Sequence, residues 1–511
     1  MEGLMKKIGL FLAVVLMASA FASCGRTPAA SDSSQTAGTV GSTGSTISTA
    51  PTEEASGGET QPTQGTKPDG SNSPQQPTSK TATTKGSGND IGGNPQGTIP
   101  QDKPVAGLQL PKADIAGEKV TVMSWWTSNN PEAIKFKAQF KKQYNATLEW
   151  QTVGWGDYTT TLQRQVMSNT AADVVMVRNG DYPTHAYNKW WQPIDGQLDL
   201  NSDLWKGVGS IINSREIDGK HYLVTTSVSV SRFIWYNKNI LTNEGQPDLM
   251  QLYDRGLWTW DKLMEVARAV TKDTDQDGTT DQFGIDGESP HTLANAMISA
   301  YKTDWVKKNG EKYALNFDDP KLTKSYDLLN ELYNTYKVGN TSGESSEVTF
   351  GKGKLAMYMG GSWIGDADPI KTMHKTGKVS LVPFPSMPGE TSAPQFAEEN
   401  MYAISNCKGT SVKGAVAFIN LVRYMGLDKA NVEERNGEMK SVGFTDKELQ
   451  MMDSLGGNTF SPMAPSFGAA MNDALYEAAY NISWGHAWSE VRQYHEGTCQ
   501  QAVDDMNKLM K

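Results

Sequence analysis

The chain has 511 residues and a formal net charge of −10, from 47 Lys plus Arg against 57 Asp plus Glu. An acidic balance with only short basic patches argues against nucleic-acid binding and suffices for solubility. The length allows two lobes with a core each, and nothing in the spacing of Cys407 and Cys499 demands a disulfide, so both read as unreactive thiols.

Lys6 and Lys7 precede an apolar run, Ile8 to Ala20, and then Phe21-Ala22-Ser23-Cys24. The run is shorter than the roughly 20 residues of a membrane-spanning helix. The segment resembles a bacterial lipoprotein signal, with Phe21 where Leu is usual. The resemblance implies a signal peptide over residues 1–23, cleavage before Cys24, lipid on its thiol and a protein held at the outer face of the cell membrane. A plain cleaved signal peptide is the alternative. Residues 24–107 form a Ser/Thr/Gly/Pro/Gln-rich stretch, and Gly25 to Gly107 contains no Phe, Tyr, Trp or Leu. Such a segment has too little apolar surface to offset its ordering entropy and reads as a disordered tether, with a root-mean-square reach on the order of 50 Å.

Ordered sequence begins near Leu108. Lys119 to Trp125 alternates like a strand. Asn130-Pro131 opens a helix, with Pro at its first turn and Phe136, Phe140 and Tyr144 four apart on one face. Ala146 to Val153 is a second strand, Tyr158 to Ser168 a second helix, and Ala172 to Val177 a continuous apolar strand covered on both faces. This alternation defines an α/β sheet.

Several downstream segments stand in a recognisable order: Asp173-Val-Val-Met-Val-Arg178, Trp191-Gln-Pro-Ile-Asp195, Asp218-Gly-Lys-His-Tyr-Leu223, Trp235-Tyr-Asn-Lys238, Thr259-Trp-Asp261, Phe350 to Met357, Gly361-Ser-Trp363 and Gly497 to Asp504. From about Lys119 onward the chain resembles the extracellular solute-binding proteins of ABC importers, in the carbohydrate-binding family that includes maltose-binding protein. The Gly-Lys-x-Tyr segment lacks the proline common in that family. The resemblance implies a two-lobed periplasmic-binding-protein-like α/β fold with a hinge and an interlobe cleft. Its first lobe would take residues 108–227 and 398–450, and its second residues 228–397 and 451–511. It also implies capture of a sugar or oligosaccharide by a monomer, lobe closure, and delivery to membrane permease subunits. A tethered carbohydrate-active enzyme and a sugar-sensing subunit for a signalling receptor are the alternatives.

All 14 tryptophans lie between Trp125 and Trp488. Aromatic rings pack on the apolar faces of sugars while polar side chains take the hydroxyls. Trp126, at the end of the first strand, and Arg178, Asp181 and Tyr182, after the third, stand at the sheet edge where α/β folds bind ligands. Trp363 follows the Gly360-Gly361 pair in a loop that the family uses for stacking. Trp484 and Trp488 are four apart and would share a helix face. Trp155 and Trp305 read as weaker candidates. Asp273, Asp275, Asp277 and Asp281 stand at positions 1, 3, 5 and 9 of a calcium-type loop, with Gly278 at the sharp turn and Thr279 offering a carbonyl. The twelfth position is Gly284, so a bidentate ligand would come from elsewhere, Glu288 for example. A structural Ca2+ is expected, against a plain solvated Asp-rich turn. No nucleophile elbow, zinc-protease motif or P-loop is present, and no catalytic residue or catalytic cofactor is expected.

Overall fold

The computed structural model describes residues 103–510, apart from 179, 214, 311, 391–392, 456–457 and 461. The expected signal peptide, the lipidation site Cys24 and nearly all of the expected tether lie outside the described residues.

Strand β1 (Lys119–Ser124) pairs in parallel with β2 (Thr147–Thr152) on one side and β3 (Val174–Val177) on the other. Helix α1 (Pro131–Tyr144) is capped by Asn130, whose side chain accepts from the Glu132 amide, and it ends at Asn145 in the left-handed region. Helix α2 (Tyr158–Met167) follows β2. Strands β4 (Val224–Val230) and β11 (Ala397–Ile404) complete a sheet of order β2-β1-β3-β11-β4. Alternation along β3 sends Val174 and Met176 into one core and Val175 and Val177 into another. The first core lies under α1 and α5 (Val412–Leu427), with Phe418 edge-on to Phe136 and Tyr402.

The chain leaves this sheet at Ser231 and continues at once as β5 (Arg232–Asn237) in a second sheet. That sheet has the order β10-β5-β9-β6, from β6 (Phe283–Gly287), β9 (Leu355–Gly361) and β10 (Val379–Val382). A small hairpin, β7 (Val306–Asn309) and β8 (Lys312–Leu315), stands apart. Helix α3 (Trp260–Val270) begins where the Thr259 hydroxyl accepts from the Lys262 amide, and α4 (Pro290–Tyr301) where Ser289 accepts from Thr292. Three more helices close the lobe: α6 (Asp446–Leu455), α7 (Ala469–Ser483) and α8 (Trp488–Leu509).

The expected division between lobes moves at residue 450. Phe444, Leu449 and Met451 pack into the second core, with the Phe444 ring 5.9 Å from Trp235 and 4.8 Å from His374. The reason is local: the buried Glu448 carboxylate is claimed by His374 and Ser380, both second-lobe residues. Among the described residues no helix is long and apolar enough to cross a membrane.

Candidate functional site

The second lobe carries an aromatic surface beside the β4–β5 crossing. Trp363 lies in the single turn Ser362–Asp366 that follows β9 and is 45% exposed. The preceding glycines are required by close approach. A Cβ on Gly361 would stand 2.2 Å from the Trp363 ring, and one on Gly360 2.3 Å from Tyr358. The turn is held by the Ser362 amide donating to the Ser231 carbonyl (2.8 Å) and by Trp235 Nε1 donating to the Gly361 carbonyl (3.1 Å).

Arg232, the first residue past the crossing, sits with its guanidinium 5.2 Å from the Trp363 ring centroid and 5.8 Å from that of Phe396. It pairs with Glu398 on β11 and lies 3.4 Å from Glu288. Glu288 also accepts from the Gly361 amide at 3.2 Å, and Glu398 accepts from the Ser231 hydroxyl. The cluster therefore joins both sheets to the base of the Trp363 turn.

Helix α7 extends the surface. Its inner face buries Met471, Ala474, Leu475, Ala478, Ala479 and Ile482. On the other side Tyr476, Tyr480 and Trp484 recur every four residues and are exposed, Trp484 by 71%. Tyr476 stacks on His291 of α4, with centroids 3.9 Å apart and planes at 21°. Burial first, and the Arg232 charge second, push the His291 imidazole down to about 4, so it is neutral at physiological pH. Burial first raises the Tyr476 phenol's pKa, with the Arg232 charge opposing and the Glu288 charge adding to it.

The first lobe offers a second aromatic group. Trp125 meets Trp155 edge-on at 5.1 Å and Tyr158 at 5.5 Å. The Arg178 guanidinium lies 5.1 Å from both the Trp155 and the Tyr158 ring centroids. Arg178 Nη2 and Nε donate to Asp181 at 2.9 and 3.2 Å, and Nη1 donates to the Trp155 carbonyl at 2.8 Å. Trp155 is 58% exposed. Two residues past Arg178, a Cβ on Gly180 would stand 2.9 Å from Asn472 Nδ2 and from the Pro465 carbonyl oxygen. The loop after β3 thus rests against the start of α7, where the lobes meet.

Measured against this geometry, the expected ligand residues divide. Trp363, Trp484 and Arg178 face outward or border exposed rings. Asp181 is buried and holds Arg178. Tyr182 is buried too: its hydroxyl donates to the Arg215 carbonyl, and burial raises its pKa. Trp488 is 4% exposed and stacks on Tyr326 at 4.4 Å. It shares no face with Trp484, because α7 ends at Ser483 and a turn through Gly485 separates the two helices. Trp126 is half-buried, its carbonyl accepting from Trp150 Nε1 (2.9 Å) and Thr152 (3.2 Å), while Trp125 joins the Arg178 group. Trp305 is fully buried. Arg232, Glu398, His291, Tyr476 and Tyr480 are absent from the sequence expectation, and Glu288 enters it only as a possible calcium ligand. The four-residue recurrence of Tyr476, Tyr480 and Trp484, out of phase with Met471, Leu475 and Ile482, was the available signal.

The Asp-rich loop lies between α3 and β6. Oxygens of Asp273, Asp275 and Asp277 fall within 4.8 Å of one another. Asp273 accepts from the Gly278 amide at 2.7 Å and Asp277 from the Thr279 amide at 2.8 Å, so the backbone wraps the three carboxylates. This donor set fits a hard cation. Asp281 is instead turned onto Thr274, accepting from its amide (2.9 Å) and hydroxyl (2.6 Å). Gly284 carries no ligand for a geometric reason: a Cβ there would lie 2.5 Å from the Ala267 carbonyl oxygen of α3. Glu288 stands beyond the far end of β6, engaged with Arg232, and does not complete the loop.

Two α/β lobes joined by strand crossings, with uncommitted aromatic rings on both sides of the junction, define a two-lobed binding protein. The chain belongs to the bacterial extracellular solute-binding protein family, whose sequence profile matches residues 125–423, more than half its length. The family is one of binding proteins, and the chain is not an enzyme. A curated relative, the diacetylchitobiose-binding protein DasA of Streptomyces coelicolor, is 25% identical over 262 residues, which cover 49% of this chain and 56% of DasA. The match thus spans little more than half of that relative. Among solved structures, the maltose/maltodextrin-binding domain MalE from Bdellovibrio bacteriovorus, bound to maltotriose, aligns with a TM-score of 0.56 at 16% identity, covering 76% of this chain and 100% of that one. The GacH receptor of Streptomyces glaucescens, solved unliganded and with acarbose, aligns at 0.58 and 16% identity, covering 76% and 99%. At these identities the likeness is one of fold.

Proposed function

We propose that the chain captures a sugar or oligosaccharide between its lobes and hands it to the permease of an ABC transporter, held at the outer face of the membrane by lipid on Cys24. The observation that carries this reading is the exposed ring surface of Trp363, Tyr476, Tyr480 and Trp484 beside the Arg232–Glu288–Glu398 cluster. Rings offer faces for sugar C–H groups, and the charged edge offers donors and acceptors for hydroxyls. From Tyr476 to Trp484 the helix rises about 12 Å, longer than one sugar ring. What the relatives are named for binding, diacetylchitobiose and maltotriose, agrees in class. The Arg178 loop and Trp155 would meet the ligand from the first lobe, and closure requires only that the ligand favour the closed state.

The loop carboxylates Asp273, Asp275 and Asp277 would hold a structural Ca2+, fixing the connection between α3 and β6 far from any chemistry. A melting-temperature screen of the protein against mono- and oligosaccharides, amino acids and peptides, with calcium or a chelator, tests both parts. A ligand at about 100 times its Kd should add roughly 2.7 kcal/mol, a rise of several degrees. Chelation should lower the melting temperature without abolishing the sugar response. A response to peptides alone would remove the carbohydrate reading, and indifference to chelator would remove the cation.

A further inference from the structure

We propose that this site selects uncharged glycans and turns away acidic ones such as uronates; the inference rests on the carbohydrate reading above. It follows from how the cations beside the exposed rings are engaged. Arg178 is held by Asp181 through two side-chain hydrogen bonds, with Nη1 also donating to the Trp155 carbonyl and Nη2 to Thr159. Arg232 faces two carboxylates, Glu288 and Glu398, of which Glu288 also takes the Gly361 amide and Glu398 the Ser231 hydroxyl. That one cation against two anions leaves the edge of the Trp363 surface with a net negative charge. The imidazole of His291, under Tyr476, is neutral through burial and the Arg232 field, so it adds no compensating charge.

A sugar carboxylate laid on these rings would therefore meet Glu288 and Glu398 without a free cation to pair with, and an unpaired charge shielded from water is strongly disfavoured. A neutral hydroxyl pays no such penalty and can hydrogen-bond to the outer oxygens of the same carboxylates, which are partly exposed. The cluster would discriminate by charge while the rings discriminate little, since every pyranose has an apolar face.

The test is calorimetric titration of the full chain with matched trisaccharides: cellotriose, mannotriose and triacetylchitotriose as neutral probes, and trigalacturonate and a mannuronate trimer as acidic ones. The expected result is saturable binding of at least one neutral trimer, with each acidic trimer at least tenfold weaker. In the double variant E288Q/E398Q, which leaves Arg232 without its carboxylates, the gap should narrow, and the acidic trimer's gain should shrink as salt screens it. An acidic trimer bound as tightly as the best neutral one by the native chain would overturn the proposal and leave the carbohydrate reading standing. Silence from all five trimers would overturn both.

Discussion

Glu448 is buried with four donors around its carboxylate: His374 Nε2 at 3.1 Å, the Ser380 hydroxyl, and the amide and hydroxyl of Thr445 at 2.8 and 2.9 Å. Burial alone would raise its pKa, but the hydrogen bonds and the His374 charge outweigh that and hold it at about 2. A carboxylate depressed in the folded state contributes stability above its unfolded pKa, and that contribution is lost as pH falls from about 4.5 towards about 2. Glu448→Gln should therefore lower unfolding stability by on the order of 3 kcal/mol at pH 7, and the deficit should close below pH 4. Denaturant curves across that range check it; a pH-independent deficit would assign the loss to packing. Single residues were the least legible scale in the sequence. Arg178, Asp181 and Tyr182 were correctly placed at one strand end, but whether a side chain there faces solvent or satisfies its own loop depends on Arg215 and Thr159, which periodicity does not bring into view.

At the scale of elements, the sequence was read accurately where polarity and capping coincide. The Asn130–Pro131 start and the continuous apolar β3 both lie where expected. The reading failed at Gly485, whose positive φ of 98° ends one helix so that another can begin at Trp488. Two tryptophans four apart then have opposite fates, and their substitutions should separate cleanly. Trp488→Ala opens a cavity against Tyr326 and Trp305 and should cost about 3–5 kcal/mol of stability. Trp484→Ala should change stability by less than about 0.5 kcal/mol while weakening oligosaccharide binding several-fold. Paired melts and titrations would read both; a large loss of stability in Trp484→Ala would remove that residue from the binding surface.

At the scale of the molecule, strand–helix alternation marks one α/β sheet, and the second lobe is legible only through the family resemblance that the ordered motifs carry. Where the chain passes between the lobes was legible only to within several residues, since crossings are set by which sheet edge accepts each strand. The second passage shows this: β11 joins β3 and β4 in the first sheet while its Glu398 reaches Arg232 at the start of β5 in the second. The proposed binding residues therefore gather near the passages, on elements distant in sequence, and Trp363, Arg232 and Tyr476 become neighbours only once the second lobe has formed.

Gly180 touches Asn472 and Pro465 so closely that a single added methyl group would strike a backbone oxygen at 2.9 Å. Asn472 can swing aside, but the Pro465 carbonyl cannot, so Gly180→Ala should act as a shim that keeps the jaws from meeting. Sugar affinity should fall at least tenfold with every ring in place, and small-angle scattering should show the liganded variant no more compact than the free protein. Unchanged affinity would mean that this contact loosens before the sugar is gripped. A tenfold fall, by contrast, would show that the tolerance of the clamp is set here by the absence of one carbon atom.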